Sequence, residues 1–556
     1  TFGGTTLVLD EYGLGARAVE MNTVAVRLAR KACEKYSTAE RPRFVAGSIG
    51  PTTKAISVTG GVTFEELVRN FKVQAHALWE AGADYFLVET CQDMRNVKAA
   101  LIGIDEALAT VPAPERIPAA VSLTIEPMGT MLAGQTVEAA IASLSHVDLL
   151  YLGLNCATGP EFMTDHVRTM AQQFGAAVAC VPNAGLPDEN GNYLESPEML
   201  ASVVGRFAEN GWVNVIGGCC GTHRGHIAAL RKLADSQKPR KPAAQHRSVL
   251  SGVDFLEITP DIRPVIIGER TNVIGSKKFK ELICQEKFEE AVEVGRAQVK
   301  KGAGIVDVCL ANPDRDEMDD MRKFLEKAVK LIRAPLMIDS TDAKVIEMAL
   351  TYCQGKAIIN SINLEDGEER YEEVVPLAKK YGAALVVGTI DEDPVQGMAV
   401  TRGRKLEVAQ RSYDLLVNKY GIQPEDIYFD PLVFPCATGD KQYVGSAVET
   451  IEGIRLIKEA MPRCKTTLGI SNVSFGLPNA GREVLNSVFL YHCVQAGLDT
   501  AIVNSEKMER YASISEEERK LSEDLLWNRG ADPVAAFAAH FRHVKKEAKS
   551  SGPRLH

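Results

Sequence analysis

The stretch LMIDSTDAKVIEMAL, residues 336–350, holds one complete structural unit. Apolar residues run into the polar group Asp339-Ser340-Thr341-Asp342, and apolar side chains then return at helical spacing as Val345, Ile346, Ala349 and Leu350. A strand that is apolar on both faces is what a parallel sheet covered by helices requires. The same order of apolar run, polar end and helix-length stretch recurs in PVIIGERTN (264–272), IVDVCLANP (305–313), AIINSINL (357–364) and ALVVGTID (384–391). It recurs again in IYFDPLVFP (427–435), TTLGISNVSFG (466–476) and TAIVN (500–504). Eight such units in roughly 250 residues match a (β/α)8 barrel.

Upstream lies a second series: FVAGSIGP (44–51), YFLVET (85–90), AAVSLTI (119–125), LLYLGLNC (149–156), AVACVPNAG (177–185) and VNVIGGCCG (213–221). Only six strands are visible, so the expected architecture is two consecutive TIM-type barrels in the α/β class. The first would lack its N-terminal strands in this chain, those strands lying before residue 1. The expected division is a first barrel over 1–235, a linker over 236–255, a second barrel over 256–545 and a tail over 546–556. The linker contains DSQKPRKPAAQHRS (235–248), without apolar periodicity, and its basic residues read as solvating charges.

Composition narrows the partners. A net charge of −10 with dispersed acidic residues argues against nucleic acid and against a polybasic membrane patch. No apolar run approaches a membrane span and no signal-peptide pattern opens the chain, so a cytoplasmic location is expected. The twelve cysteines are mostly isolated in apolar segments, as in a reducing compartment. The adjacent pair in GGCCGT (217–222) is the exception.

In parallel barrels, chemistry gathers at the C-terminal strand ends. Cys156 ends one strand of the first series, and Cys219 and Cys220 end another. Three thiols converging from two strand ends suit a catalytic zinc site with one open position, since adjacent cysteines make a poor disulfide. A redox dithiol is the rival reading. His223 is either a fourth ligand or a surface or capping residue beside Arg224.

GLNCATGP (153–160), GGCCGTHRGHI (217–227) and VETCQDMRNVKAA (88–100) closely resemble the homocysteine-binding barrel of the cobalamin-dependent methionine synthase family. In that family, and in betaine–homocysteine methyltransferases, three such cysteines bind Zn2+. The resemblance therefore makes Cys156, Cys219 and Cys220 the metal ligands and Glu89 a contact for the amino group of homocysteine. GERTNVIGSKKF (268–279), MIDSTDAKVIEMAL (337–350), INSIN (359–363), FDPLVFP (429–435) and GISNVSFGLP (469–478) resemble the pterin-binding barrel of methyltetrahydrofolate methyltransferases and dihydropteroate synthases.

That second resemblance implies Glu269, Asn272, Asp339, Asn360 and Asp430 around the pterin, with Asn472 near N5, and Asp307 is counted as a further substrate-binding residue. Asp339 is the proposed route for a proton to N5. In VDVCLANP, many relatives carry Asn where Cys309 stands, and Asp307 or Asn312 would compensate.

The implied reaction passes a methyl group from 5-methyltetrahydrofolate through cobalamin to zinc-activated homocysteine, giving methionine and tetrahydrofolate. No DxHxxG cobalamin motif occurs, so the carrier is expected on a module supplied in cis or in trans. Two other readings stand beside it: a corrinoid-dependent methyltransferase for another thiol or C1 pathway, and a non-catalytic zinc- and pterin-binding scaffold.

Overall fold

A computed structural model describes residues 1–438 and 440–542; the expected tail over 546–556 lies outside the described residues. The first unit is a sheet of six strands. These are β1 (Ala46–Ile49), β2 (Tyr85–Cys91), β3 (Ala119–Leu123), β4 (Leu149–Asn155), β5 (Ala177–Val181) and β6 (Val215–Ile216). They lie in sequence order and pair in parallel throughout. A helix follows every strand, and side-chain caps fix where the helices begin. Thr63 and Glu66 form a capping box at Phe64–Glu80, Asp93 caps Met94–Ala107, and Ser196 caps Pro197–Glu209.

An antiparallel hairpin of β7 (Val249–Ser251) and β8 (Phe255–Glu257) then leads into the second unit. Its strands are β9 (Val265–Gly268), β10 (Ile305–Val308), β11 (Leu336–Asp339) and β12 (Ile358–Leu364), then β13 (Ala384–Asp391), β14 (Ile427–Asp430), β15 (Lys465–Gly469) and β16 (Thr500–Val503). They close into a parallel barrel, β16 pairing with β9 through Thr500 opposite Val265. The chain is thus built as two consecutive TIM-type units, the first an open six-stranded sheet and the second a closed eight-stranded barrel.

The 236–255 segment carries more structure than its composition predicts. Arg240 is buried, and its guanidinium donates to the carbonyls of Ala171, Phe174 and Ala176, so this residue is a staple rather than a solvating charge. From the hairpin region, Leu250 and Ile258 join Val265, Ile267, Ile305, Met337 and Tyr428 in one buried cluster. The hairpin therefore plugs the barrel at the end where its strands begin.

That plugged end is also where the two units meet. The helix Met94–Ala107 is buried continuously from Met94 through Ile104 because it is held between its own sheet and the second barrel. Arg95 Nε donates to the Thr351 carbonyl at 2.8 Å and stacks over the Tyr352 ring. Lys98 Nζ donates to Cys353 O at 3.3 Å and Gly355 O at 2.5 Å. Gln135 reaches Gly252 O at 2.6 Å, and Lys356 reaches Ser145 Oγ at 3.0 Å. The partners on the second barrel precede β9 and β12. Its C-terminal mouth, at the other end of these strands, is left open.

Candidate sites at the strand ends

Cys156 follows β4 directly, and Cys219 and Cys220 follow β6 after two glycines. The backbone turns sharply at both places. Cys156 and Ala157 take the left-handed conformation, with φ of 61° and 56°. Gly221 is also left-handed at φ 76°, and a Cβ there would lie 2.2 Å from the Tyr193 ring, so glycine is required for the loop to pass beneath that tyrosine.

The three Sγ atoms lie within 4.8 Å of one another, with Cys156 and Cys220 separated by 3.8 Å. Thiolates around tetrahedral zinc, at Zn–S near 2.3 Å, sit about 3.8 Å apart. All three cysteines are free. The donor set therefore fits a metal that prefers sulfur and leaves a fourth position open. The trio also favours holding one negative charge: donation from Cys219 brings Cys156 down to about 5, and the same contact pushes Cys219 up.

Two buried amides support these thiols. Asn155 Nδ2 donates to Cys219 Sγ at 3.8 Å and to Thr90 Oγ1 at 2.9 Å, while its Oδ1 accepts from Thr90 N and Ser122 Oγ. Asn183 Oδ1 accepts the Cys220 N–H at 3.1 Å. Neither was singled out from the sequence, although both stand in the strand-end strings GLNC and PNAG. Glu89 is next to Thr90 and accepts from Ser48 Oγ at 2.5 Å, so the Asn155 network joins its strand end to the thiols. His223 is a helix cap: its ring accepts the Gly225 N–H at 3.0 Å and packs against His226.

In the second barrel, Glu269, Asp307, Asp339 and Asp430 stand at or near C-terminal strand ends, while Asn360 is the third residue of β12, four residues before its end. Asn272 Nδ2 joins two of them, donating to Asp307 Oδ2 at 3.1 Å and Asp339 Oδ2 at 3.3 Å. Asn360 lies in register with Asp339 on the neighbouring strand. Asp307 is buried, and its Oδ1 has no hydrogen-bond partner. Burial and the neighbouring Asp339 push Asp307 well up, and burial raises Asp339 to about 6. Burial thus favours the neutral form of both carboxyls, and Asp307 Oδ1 is left to meet a ligand.

Cys309 has a place in this pair. It is buried, burial pushes its thiol up, and it hydrogen-bonds to Asp339 as a neutral donor. Asn312 is turned elsewhere, donating to Cys284 Sγ at 3.6 Å and accepting from Asp314 N, so it does not compensate for Cys309. Across the barrel seam, Glu269 accepts from Ser471 Oγ at 3.4 Å, and burial raises it. Asn472, next to Ser471 in the 3-10 turn Ile470–Ser474, is exposed at the lip.

Asp430 is held up to about 6 by burial and accepts the Leu432 N–H at 2.8 Å. Because its native value lies above the usual carboxylate range, its contribution to stability is complete below the ordinary value and is lost as pH rises through 6. Asp430→Asn is therefore expected to stabilise the protein above that pH, by about 3 kcal/mol at most, and to be neutral below about pH 4. Thermal melts of both proteins at the two pH values check this, and an equal effect at both would contradict it.

Residues 1–234 match the homocysteine S-methyltransferase family, and residues 268–504 match the pterin binding enzyme family. Among solved structures, the metallated form of the homocysteine methyltransferase MmuM from Escherichia coli is 25% identical, over 42% of this chain and 76% of its own, with a TM-score of 0.35. The dihydropteroate synthase of Xanthomonas albilineans is 18% identical, over 45% of this chain and 89% of its own, with a TM-score of 0.33.

Proposed function

We propose that this chain, a homocysteine S-methyltransferase domain joined to a pterin-binding domain, works as the substrate-holding half of a cobalamin-dependent methionine synthase. In this reading 5-methyltetrahydrofolate gives its methyl group to a corrinoid carrier, and homocysteine receives it. The observation that carries the reading is the pairing of two mouths in one chain: three free thiols within 4.8 Å at one, and a buried carboxyl pair bridged by Asn272 at the other.

Cys156, Cys219 and Cys220 would hold Zn2+. When bound, the metal supplies the Lewis acidity that keeps a substrate thiol as thiolate at neutral pH. Glu89, held by Ser48, takes the amino group of the amino acid. In the second barrel, Asp307, Asn272, Asp339, Asn360, Glu269 and Asp430 bind the amide and amine edge of the pterin. N5 of the folate leaves only when protonated. Asn472 at the lip hydrogen-bonds N5 but has no proton to give up, so the Asp307–Asp339 pair keeps the proton and Asp339 passes it on.

The docking of the first unit on the plugged end of the second supports a carrier, because the open mouth is at the opposite end. A corrinoid supplies a nucleophilic cobalt toward the folate methyl and a methyl donor toward the thiolate. Its docking is favoured by apolar side chains exposed on four mouth loops, Ile274, Val395, Val444 and Phe475. No described helix is long and apolar enough to cross a membrane.

A panel of thiols offered with free methylcobalamin tests the assignment. Homocysteine is expected to be methylated in preference to the others. Preference for another thiol would favour a different corrinoid methyltransferase, and failure with every thiol would favour a binding scaffold.

A further inference from the structure

In the helix Arg402–Asp414, Lys405 is completely buried in the wall of the second barrel. Its ammonium donates to three backbone carbonyls: Ala399 at 2.8 Å, Leu432 at 3.4 Å, and Pro431. A lysine has three N–H donors, and these acceptors match them. The ammonium also lies 5.1 Å from the centroid of the Phe434 ring. Burial lowers it to about 7, against the opposing charges of Asp430 and Glu449.

Burying an ammonium is unfavourable, and a second unfavourable choice accompanies it. Gly453 stands inside the helix Ser446–Ala460, where glycine is unfavourable, and a Cβ there would lie 2.7 Å from Lys405 Cδ. The glycine opens the path that the lysine stem follows. Two of the clamped carbonyls belong to the residues immediately after Asp430. Leu432 is left-handed at φ 64°, an unusual state for a branched side chain. In that conformation its N–H reaches Asp430 Oδ1 at 2.8 Å, and its carbonyl also accepts Thr450 Oγ1 at 2.8 Å.

We propose that Lys405 is a positioning residue for the pterin site, clamping the Pro431 and Leu432 carbonyls so that the strained turn presents Asp430 in one orientation. The inference rests on the reading of Asp430 as a pterin contact. Lys405 acts through the turn and does not touch the ligand.

A double-mutant cycle on the full chain tests it, with tetrahydrofolate affinity read by titration and melting temperature measured alongside. Lys405→Met is expected to weaken binding about tenfold or more, and Asp430→Asn likewise, while the double variant binds no more weakly than the worse single one. A loss of stability alone would not produce that non-additivity. Lys405→Met binding within twofold of the parent, or losses that multiply, would overturn the role of Lys405. Normal binding by Asp430→Asn would instead remove Asp430 from the pterin site, and the inference with it. If Lys405→Met fails to fold, Gly453→Ala takes its place in the cycle by crowding the lysine stem. The same non-additive loss is expected there, and unchanged affinity would overturn the proposal.

Discussion

Cys219→Ala is expected to remove bound metal and homocysteine methylation together, the latter on the order of 10³-fold or more. The second barrel of the same variant should bind tetrahydrofolate as the parent does. Cys219 is the informative choice because its thiol hydrogen-bonds to Cys156 and accepts from Asn155. Two remaining thiols cannot satisfy a tetrahedral metal that still needs a position for substrate. Elemental analysis of the purified variant and transfer from methylcobalamin to homocysteine are the two readouts. Retained metal with retained transfer would contradict the tri-thiolate assignment.

Asp339→Asn should lower transfer from 5-methyltetrahydrofolate to a reduced corrinoid by roughly 10²- to 10⁴-fold, the usual range for losing a general acid. The amide keeps an oxygen for Asn272 and Cys309 but cannot deliver a proton, so folate affinity should change far less than the rate. The sign of the pH effect follows from the native value of about 6. Only the protonated form donates, so the parent rate should fall as pH rises through that value, and the variant rate should be flat there. Single-turnover absorbance of the corrinoid follows this directly. An unchanged rate in the variant would move the proton source elsewhere in the Asp307–Asp339 pair.

The strand pattern was legible because burial demands it. Each residue of Ile305–Val308 is buried, Asp307 included, and the run reads as strand without any alternation. The thiols were legible for a related reason: a polar or reactive group that ends such a run has nowhere to point except the mouth. His223, beside Arg224, takes the capping role that its position before a helix allows.

What the sequence concealed were charged and amide groups whose partners are backbone atoms distant in the chain. Arg95 and Lys98 look like the solvated face of an amphipathic helix, yet both donate to carbonyls of the second barrel. Arg240 looks like linker charge, and Lys405 looks like an ordinary surface lysine. Nothing in local spacing announces a carbonyl brought near by barrel curvature. Asn155 and Asn183 were hidden in the same way: each stands beside the thiol site, but an asparagine at a strand end equally suits a cap or turn.

On the proposed function, the two substrates are held in separate barrels and the methyl group needs a carrier between them. The decisive experiment incubates the zinc-loaded chain with methyl-labelled 5-methyltetrahydrofolate and homocysteine, with and without reduced corrinoid, and counts label in methionine. Labelled methionine is expected only when the corrinoid is present. Labelled methionine formed without it, or none formed with it, would contradict the claim.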